Sequence, residues 1–386
     1  MTSRRPRNHR PFRLTAVIGW LGAGGAERMM AILTNAWVER GWDVELVVTL
    51  ARSADEQFFD VDPRVSIRHL DLYRPSRGLG DAIRANLRRV RTLRRAIRAS
   101  RPDAVLAFTL ETNVLTVLAS LGLGVPVVVE EHIFSSWPPL KLRWRLLRLA
   151  TYPLASSVVA LTPSALATLG LARGRRGRVV PNPVLAPPPS TVMSADPPVI
   201  VAMGRLVPQK GFDMLLDAFA PVAGRHPGLR LEIWGEGPER AGLEGHRDEL
   251  GLRSRVSFPG ITPNADEVLR RASVFVLSSR REGFPMVLGE AMANGVPSVS
   301  FDCPSGPREL IRDGIDGLLV PPNDVAALSN ALERLVVDRD LAARLRARAP
   351  EVVERFSLSS VLDRWDDIFA EVGATSGGAR AKSGIE

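Results

Sequence analysis

The sequence predicts an α/β protein of two parallel-sheet domains, and three observations carry that prediction. The chain has 386 residues, more than one hydrophobic core usually holds. Short apolar runs of strand length alternate with helix-period segments in both halves, as in repeated βα units. Between the halves, residues 181–198 contain seven prolines. That density forbids helix and interior strand, so the domain junction falls there.

In the first half, Leu14–Ile18 is a short apolar strand that feeds the loop LGAGGAER at 21–28 and a helix carrying Met29, Met30, Leu33 and Val38. Gly41 ends the helix and Val44–Leu50 makes the next strand, giving a βαβ opening. Gly22 and Gly24 fit the first two places of a dinucleotide fingerprint, but Glu27 stands where the third glycine belongs. Nicotinamide and flavin binding are therefore disfavoured. The loop reads as backbone approaching an anionic substrate, or as a tight turn with no ligand. Asp60-Val61-Asp62 has the look of a metal-holding acidic triplet, yet it precedes Pro63 in a polar connection and reads as a turn. No histidine pair has ligand spacing, so no metal is expected.

Residues 82–98 form a helix with Ile83, Leu87, Val90, Leu93 and Ile97 on one stripe. Eight arginines lie between Arg84 and Arg101 with no acid among them. A second basic segment, KLRWRLLRLA at 141–150, puts Lys141, Arg145 and Arg148 on one face, with Leu140, Trp144 and Leu147 nearby. Such segments suit an anionic membrane surface; the competing reading is a solvated helix face. Nucleic acid is disfavoured, because no aromatic-interleaved sheet or recognition helix accompanies the arginines. Val125–Glu130 is the next strand, with His132 at its end, where ligands of α/β sheets sit; a structural histidine is the alternative. Val158–Leu161 is the last clear strand of this half.

In the second half, Val199–Met203 restarts the alternation and leads into GRLVPQKGFDMLLDAF at 204–219. Arg205 and Lys210 flank a proline-containing loop before a glycine-led helix, a placement suited to a diphosphate. Further strands are read at Leu231–Trp234, Val256–Phe258, Val274–Leu277, Ser298–Phe301 and Gly317–Val320, and the last helix at Leu358–Val372.

The segment EGFPMVLGE at 282–290 follows the Val274–Leu277 strand. Pro285 suits a first helical turn, where its missing N–H costs nothing. Amides from Gly283 to Met286 then lie at a helix N-terminus, a ready phosphate site. Glu282 at the loop and Glu290 two turns on could each accept hydrogen bonds from ligand hydroxyls. A phosphate flanked by hydroxyls describes a sugar nucleotide. The plain alternative is an amphipathic helix with a capping glutamate.

The formal charge is +9. Residues 1–187 hold 28 Lys/Arg against 14 Asp/Glu, so the first half is basic and the rest mildly acidic. Only the first half is suited to meet a polyanion. The single cysteine, Cys303, excludes a disulfide framework and fits a reducing compartment. The arginines at 4–13 are not followed by an apolar signal core, so no secretory peptide is expected. No charge-free apolar run of membrane-spanning length exists; 104–129 comes nearest but contains Glu111.

Taken together, GRLVPQKG, GEGPER, EGFPMVLGEAMANGVPSV and SGPRELIRDGIDGLLVPPND, in this order and spacing, make residues 12–372 resemble the family 4 retaining glycosyltransferases of the GT-B fold. The first half matches only through GGAER and the Glu131-His132 pair. The resemblance implies two Rossmann-like domains facing across a cleft. They are an acceptor-binding domain at 12–187 and a nucleotide-sugar domain at 188–356. A C-terminal helix at 357–373 packs back on the first, with a disordered basic N-terminus at 1–11 and a disordered tail at 374–386.

It implies further that Arg205 and Lys210 contact the donor diphosphate and steady the departing nucleotide. Glu282 reaches the donor sugar, with Gly283, Phe284 and Pro285 supplying backbone nearby. Many members have glycine where Pro285 stands, so one backbone donor is missing here. Glu290 binds the ribose hydroxyls, His132 sits near the sugar from the opposite domain, and Gly24 and Gly25 lie near the reacting phosphates. Transfer should be metal-independent and should retain configuration, the nucleophile entering on the leaving-group face.

The activity expected is transfer of a hexose or N-acetylhexosamine from a nucleotide sugar, UDP first among them, to a lipid-linked glycan of a surface polysaccharide. It would take place in the cytoplasm at the inner face of the membrane. Two alternatives stand beside it: a UDP-sugar epimerase on the same fold, and a non-catalytic membrane-surface protein with a degenerate donor domain.

Overall fold

The computed structural model describes residues 10–22, 24–50, 57–73, 78–132, 141–170, 177–188 and 198–382, with side chains as far as 373. The chain divides into two compact units, Met1–Val180 with Leu362–Glu386, and Pro181–Val361.

Among the described residues the first unit holds β1 (Arg13–Ile18), β2 (Asp43–Val48), β3 (Ser66–His69), β4 (Ala104–Phe108), β5 (Val127–Glu131), β6 (Ser157–Ala160) and β7 (Gly177–Val179). They pair in parallel in the order β3-β2-β1-β4-β5-β6-β7. Its helices are α1 (Gly25–Glu39), α2 (Leu79–Ser100), α3 (Leu110–Ser120), α4 (Leu142–Thr151) and α5 (Pro163–Thr168). Strands β4, β5 and β6 are buried at every residue. That is the signature of a parallel sheet covered on both faces, and it explains why these strands read as continuous apolar runs.

The second unit holds β8 (Val199–Met203), β9 (Arg230–Trp234), β10 (Val256–Gly260), β11 (Val274–Leu277), β12 (Ser298–Phe301) and β13 (Leu318–Val320), in the parallel order β10-β9-β8-β11-β12-β13. Helices α6 (Phe212–Arg225), α7 (Arg240–Glu249), α8 (Ala265–Arg271) and α9 (Met286–Ala293) alternate with them. Then come α10 (Pro307–Leu310), α11 (Val325–Val337), α12 (Arg339–Arg348) and α13 (Glu351–Arg355). Phe219, Leu215 and Leu216 of α6 and Leu328 and Leu332 of α11 fill the core beside Ile200, Val276 and Val299.

The chain returns to the first unit through α14 (Leu358–Lys382). Trp365 meets Trp37 edge-on at 6.2 Å, and Phe369 packs against Trp37, Trp42 and Phe12 at 5.6–5.8 Å. Arg40 pairs with Asp363 at 2.8 Å and also with Asp366, while Arg178 grips Glu371 at 2.6 Å. A buried aromatic cluster of this kind anchors a helix far better than its exposed ion pairs do.

Several expectations change. The strands β3, β4 and β7 were not anticipated. β3 has only alternating half-exposed positions and β7 only three residues, so neither carries an apolar run. β4 runs into α3 without a glycine or proline to mark the turn. Residues 181–187 belong to the second unit rather than the first. Pro181, Asn182 and Val184 are buried there, and the Val184 amide donates to the Phe356 carbonyl at 2.8 Å. The C-terminal helix does not stop at 373 but continues to Lys382, replacing most of the expected disordered tail. A helix already nucleated by packed residues extends at one hydrogen bond per residue. Most of the expected disordered N-terminus, residues 1–9, and residues 383–386 lie outside the described residues. Arg10, at the edge of that segment, pairs with Asp103 at 2.6 Å.

Candidate active site

In the second sheet the strand order reverses between β8 and β11, which are hydrogen-bonded neighbours. Ligands of open α/β sheets bind outside the carboxyl ends of strands at such a switch point. The loop leaving β8 carries Arg205 and Lys210, and the loop leaving β11 carries Glu282. The two loops are sewn together. The Arg280 amide donates to the Gln209 carbonyl at 2.9 Å, the Gln209 side-chain amide to the Arg281 carbonyl at 3.0 Å, and Ser278 Oγ to the Lys210 carbonyl at 2.9 Å. The Arg280 guanidinium holds Asp213 at the start of α6 through bonds of 2.8 and 2.5 Å. Gly211, at φ +64°, leaves room for this approach; a Cβ there would stand 2.2 Å from the Ser278 carbonyl oxygen.

The result is a short bridge across the switch point. Lys210 Nζ donates to Glu282 Oε1 at 2.7 Å, and Ser279 Oγ donates to the same oxygen at 2.5 Å. Glu282 is buried and Lys210 largely so, whereas Arg205 is exposed. Among the described residues Arg205 makes no ion pair. Cys303, beside this pair, is buried, and its thiol is pushed up to about 12 by burial and then by the charge of Glu282. It is an inert packing residue rather than a nucleophile.

Pro285 is the N-cap of α9, and the helix proper begins at Met286. The Leu288 and Gly289 amides both reach the Pro285 carbonyl, at 3.0 and 3.3 Å. Among the described residues the amides of Gly283, Phe284, Met286 and Val287 bond to no acceptor, leaving donors at the helix start. The loop leaving β12 buttresses this turn: Ser305 Oγ donates to the Gly283 carbonyl at 3.1 Å. Gly306 (φ +95°) passes so close that a Cβ would lie 2.6 Å from Pro285 Cδ. Phe284 is buried against Phe356, with ring centroids 5.4 Å apart. Glu290 is half-buried on α9, and its carbonyl accepts from Asn294.

In the first unit, His132 follows β5. Its ring stacks on Phe108 at 5.2 Å, and Nδ1 lies 3.1 Å from Glu130 Oε1. Next to it, Glu131 is buried and accepts from the Tyr152 hydroxyl. That hydroxyl accepts from Asn113 Nδ2 at 3.1 Å, and Nδ2 also reaches the Glu130 carbonyl at 2.8 Å. Burial holds the Glu131 carboxyl above the usual carboxylate range, against the opposing pull of Tyr152, Arg148 and His132. Gly24 caps α1, and the Glu27 carboxylate lies so close that a Cβ on Gly24 would be 2.1 Å from its oxygen. Gly25 is the exposed first residue of the helix.

Residues 188–352 match the family model for glycosyl transferases group 1, and residues 23–185 match that for glycosyltransferase family 4. The chain belongs to family 4 of the glycosyltransferases. An α-1,4-N-acetyl-D-galactosaminyltransferase of Campylobacter jejuni is 28% identical over 94% of this chain and 99% of its own length. An exopolysaccharide phosphotransferase of Streptomyces coelicolor is 31% identical over 94% of this chain, and the chain spans 41% of that relative. The two-unit fold is GT-B: TarM of S. aureus, solved with UDP, superposes with a TM-score of 0.77 at 14% identity, covering 93% of this chain and 99% of TarM.

Within the transferase, Lys210 and Glu282 are brought into contact from 72 residues apart. Gly283, Phe284, Pro285 and Glu290 follow along the same loop and helix, and Arg205 shares the loop of Lys210. His132, Gly24 and Gly25 stand at strand exits of the other unit. Three participants carried no sequence signal. Ser279 looked like a loop serine, and Asn113 and Tyr152 meet Glu131 only through the fold. Asp60-Val61-Asp62 is irregular chain leading into a turn at Asp62–Val65, closed by the Val65 amide on the Asp62 carbonyl at 2.9 Å, and the Asp62 carboxylate is spent on Arg64. Among the described residues, no three His, Cys, Asp or Glu side chains converge on a metal site.

The raised Glu131 carboxyl has a measurable sign. Its protonated form is favoured by the fold, so wild-type stability declines as pH rises above the range where glutamates ordinarily ionise. Glu131→Gln keeps an acceptor for Tyr152 and cannot ionise. The variant should therefore gain stability relative to wild type as pH is raised from the ordinary glutamate range through the raised folded-state value, the span within which this linkage acts. Thermal midpoints of both proteins across that span check it.

Proposed function

We propose that this transferase moves a hexose or N-acetylhexosamine from a UDP-sugar to a lipid-linked glycan, with retention and without a metal ion. The observation that carries the proposal is the Lys210–Glu282 bridge at the β8/β11 switch point, with exposed Arg205 on the same loop. Arg205 and Lys210 take the diphosphate, doing the charge neutralisation that a divalent ion does elsewhere. The free amides at the start of α9 add donors for its oxygens. Glu282 holds hydroxyls of the donor sugar and Glu290 those of the ribose, while His132 and the Gly24–Gly25 turn are candidates to serve the reacting groups. The bond from the anomeric carbon to the phosphate oxygen breaks, and the nucleoside diphosphate departs. The acceptor oxygen bonds to the same face, and its proton passes to the departing phosphate. The Campylobacter relative, named for a diphosphoundecaprenol-linked substrate, supports an acceptor of that class.

A lipid-linked acceptor fits the surface of the first unit. On α4, Leu142, Leu146 and Leu149 form an exposed stripe at helical spacing, among exposed Lys141, Arg143 and Arg145. This stripe differs from the one expected: Trp144 is half-buried beneath Arg143, and Leu140 lies outside the described residues. On α2 only Leu93 and Ile97 of the predicted stripe are buried; Ile83 and Leu87 face solvent beside Arg84, Arg88 and Arg91. Arg94 is committed elsewhere, to the Ala119 carbonyl at 3.0 Å and the Leu121 carbonyl at the end of α3. Apolar residues interleaved with cations at a helix surface suit the interface of an anionic bilayer. Among the described residues no helix is long and apolar enough to cross a membrane.

Two outcomes follow. Donor-dependent release of UDP should persist in EDTA, and Lys210→Ala or Glu282→Ala should each lower turnover by about a hundredfold or more, the size of a lost charge-stabilising contact. Loss of release in EDTA, or wild-type rates in both variants, refutes the assignment. In sedimentation with phosphatidylglycerol vesicles, wild type should co-pellet, and the triple variant Leu142→Ser, Leu146→Ser, Leu149→Ser should not. Equal pelleting of the two sinks the membrane contact.

A further inference from the structure

The first sheet has its own switch point, between β1 and β4, where the chain turns from the β2 and β3 side to the β4–β7 side. The exits of the strands there are unusual. Trp20, two residues past β1, is 37% exposed, and Tyr73, beyond β3, is 46% exposed. Their rings meet edge to face at 5.6 Å. Phe58, also exposed, is tied to the same loop, its amide donating to the Leu21 carbonyl at 2.9 Å. By contrast, Trp37 and Trp365 are fully buried in the core. On the β4 side, Thr109 is held at φ +72°, and its hydroxyl donates to Thr112 Oγ1 at 3.3 Å. Thr112 Oγ1 in turn lies 3.6 Å from where a Cβ on Gly19 would stand, between β1 and Trp20. A contiguous exposed aromatic patch marks a binding surface, and a ligand site pairs such faces with a few placed polar groups.

We propose that Trp20 and Tyr73 form the shelf on which a sugar ring of the acceptor stacks. A pyranose has a C–H face that packs on an aromatic ring and a rim of hydroxyls that the half-buried Thr109 can meet, whereas Thr112 is buried and only holds Thr109. An alkyl chain would be served by aliphatic side chains, and a phosphate by cations; the shelf itself is aromatic and uncharged. The inference rests on the transferase reading and adds to it the side chains on which a ring of the acceptor glycan is seated.

Saturation-transfer NMR tests this with the full chain, UDP, and a panel of methyl pyranosides and disaccharides of glucose, galactose and their N-acetylamino forms. At least one glycoside should receive saturation at its ring C–H protons from wild type. Trp20→Ala and Tyr73→Ala should each cut that signal at least fourfold while leaving the UDP signal unchanged, and Trp20→Phe should retain it. No glycoside signal from wild type, or equal signals from wild type and both alanine variants, overturns the shelf. Absence of the UDP signal from wild type overturns the donor reading instead, which separates the two failures.

Discussion

The second unit is organised around one ion pair. Lys210 and Glu282 come from loops that leave adjacent strands, and neither can move without breaking backbone contacts to the other's loop. Removing one partner would leave a charge in a site with little water, which costs about 3–5 kcal/mol in comparable buried pairs. The surrounding residues look chosen to prevent that. Ser279 adds a second donor to the same carboxylate oxygen, and Arg280 locks the loop to Asp213 at the start of α6. Gly211, Gly235 and Gly306 let three loops approach at distances no side chain would permit.

That rigidity explains a division of labour among the charges. A buried, paired lysine has a fixed position, so its field is directed before any substrate arrives, which is what electrostatic catalysis needs. An exposed arginine keeps its hydration and its reach, and its planar fork suits a phosphate at the rim. Glu282 serves both ends. It fixes Lys210 through Oε1, and as a carboxylate it has further lone pairs with which to accept from hydroxyls.

Legibility in the sequence followed locality. All six strands of the second sheet were readable, because each is a short apolar run bounded by glycine, proline or charge. The loops that hold the candidate residues of that unit were readable too, since Arg205 and Lys210 share one loop and Glu282 through Glu290 one turn and helix. The contact between Lys210 and Glu282 was not: it spans 72 residues and arises from the strand order. The first unit shows the same limit more sharply. β3 and β7 pair at the sheet's edges with little apolar content, so their pairing is decided by their neighbours. Glu131 was visible as half of a Glu-His pair. Its raised carboxyl comes from burial, and its partner Tyr152 with Asn113 is brought near only by the packing of α3 and the residues after α4. On α2, period alone could not tell the buried Leu93 from the exposed Leu87; that depends on where the helix runs past the end of its own domain core.

The two sheets share a topology but present opposite chemistry at their switch points. The second offers a cation pair, a carboxylate and unbonded amides, a set suited by its chemistry to phosphate and hydroxyl together. The first offers glycines, a histidine held against Phe108, a protonation-biased carboxyl, and aromatic faces turned to solvent. Nothing in a parallel sheet requires this difference, since the strands need only be apolar and the exits only polar enough to reach water. The difference therefore lies in the loops, where selection for binding acts without disturbing either core. It accounts for the uneven charge as well. The excess of cations falls on α2, α4 and the strand starts of the first unit.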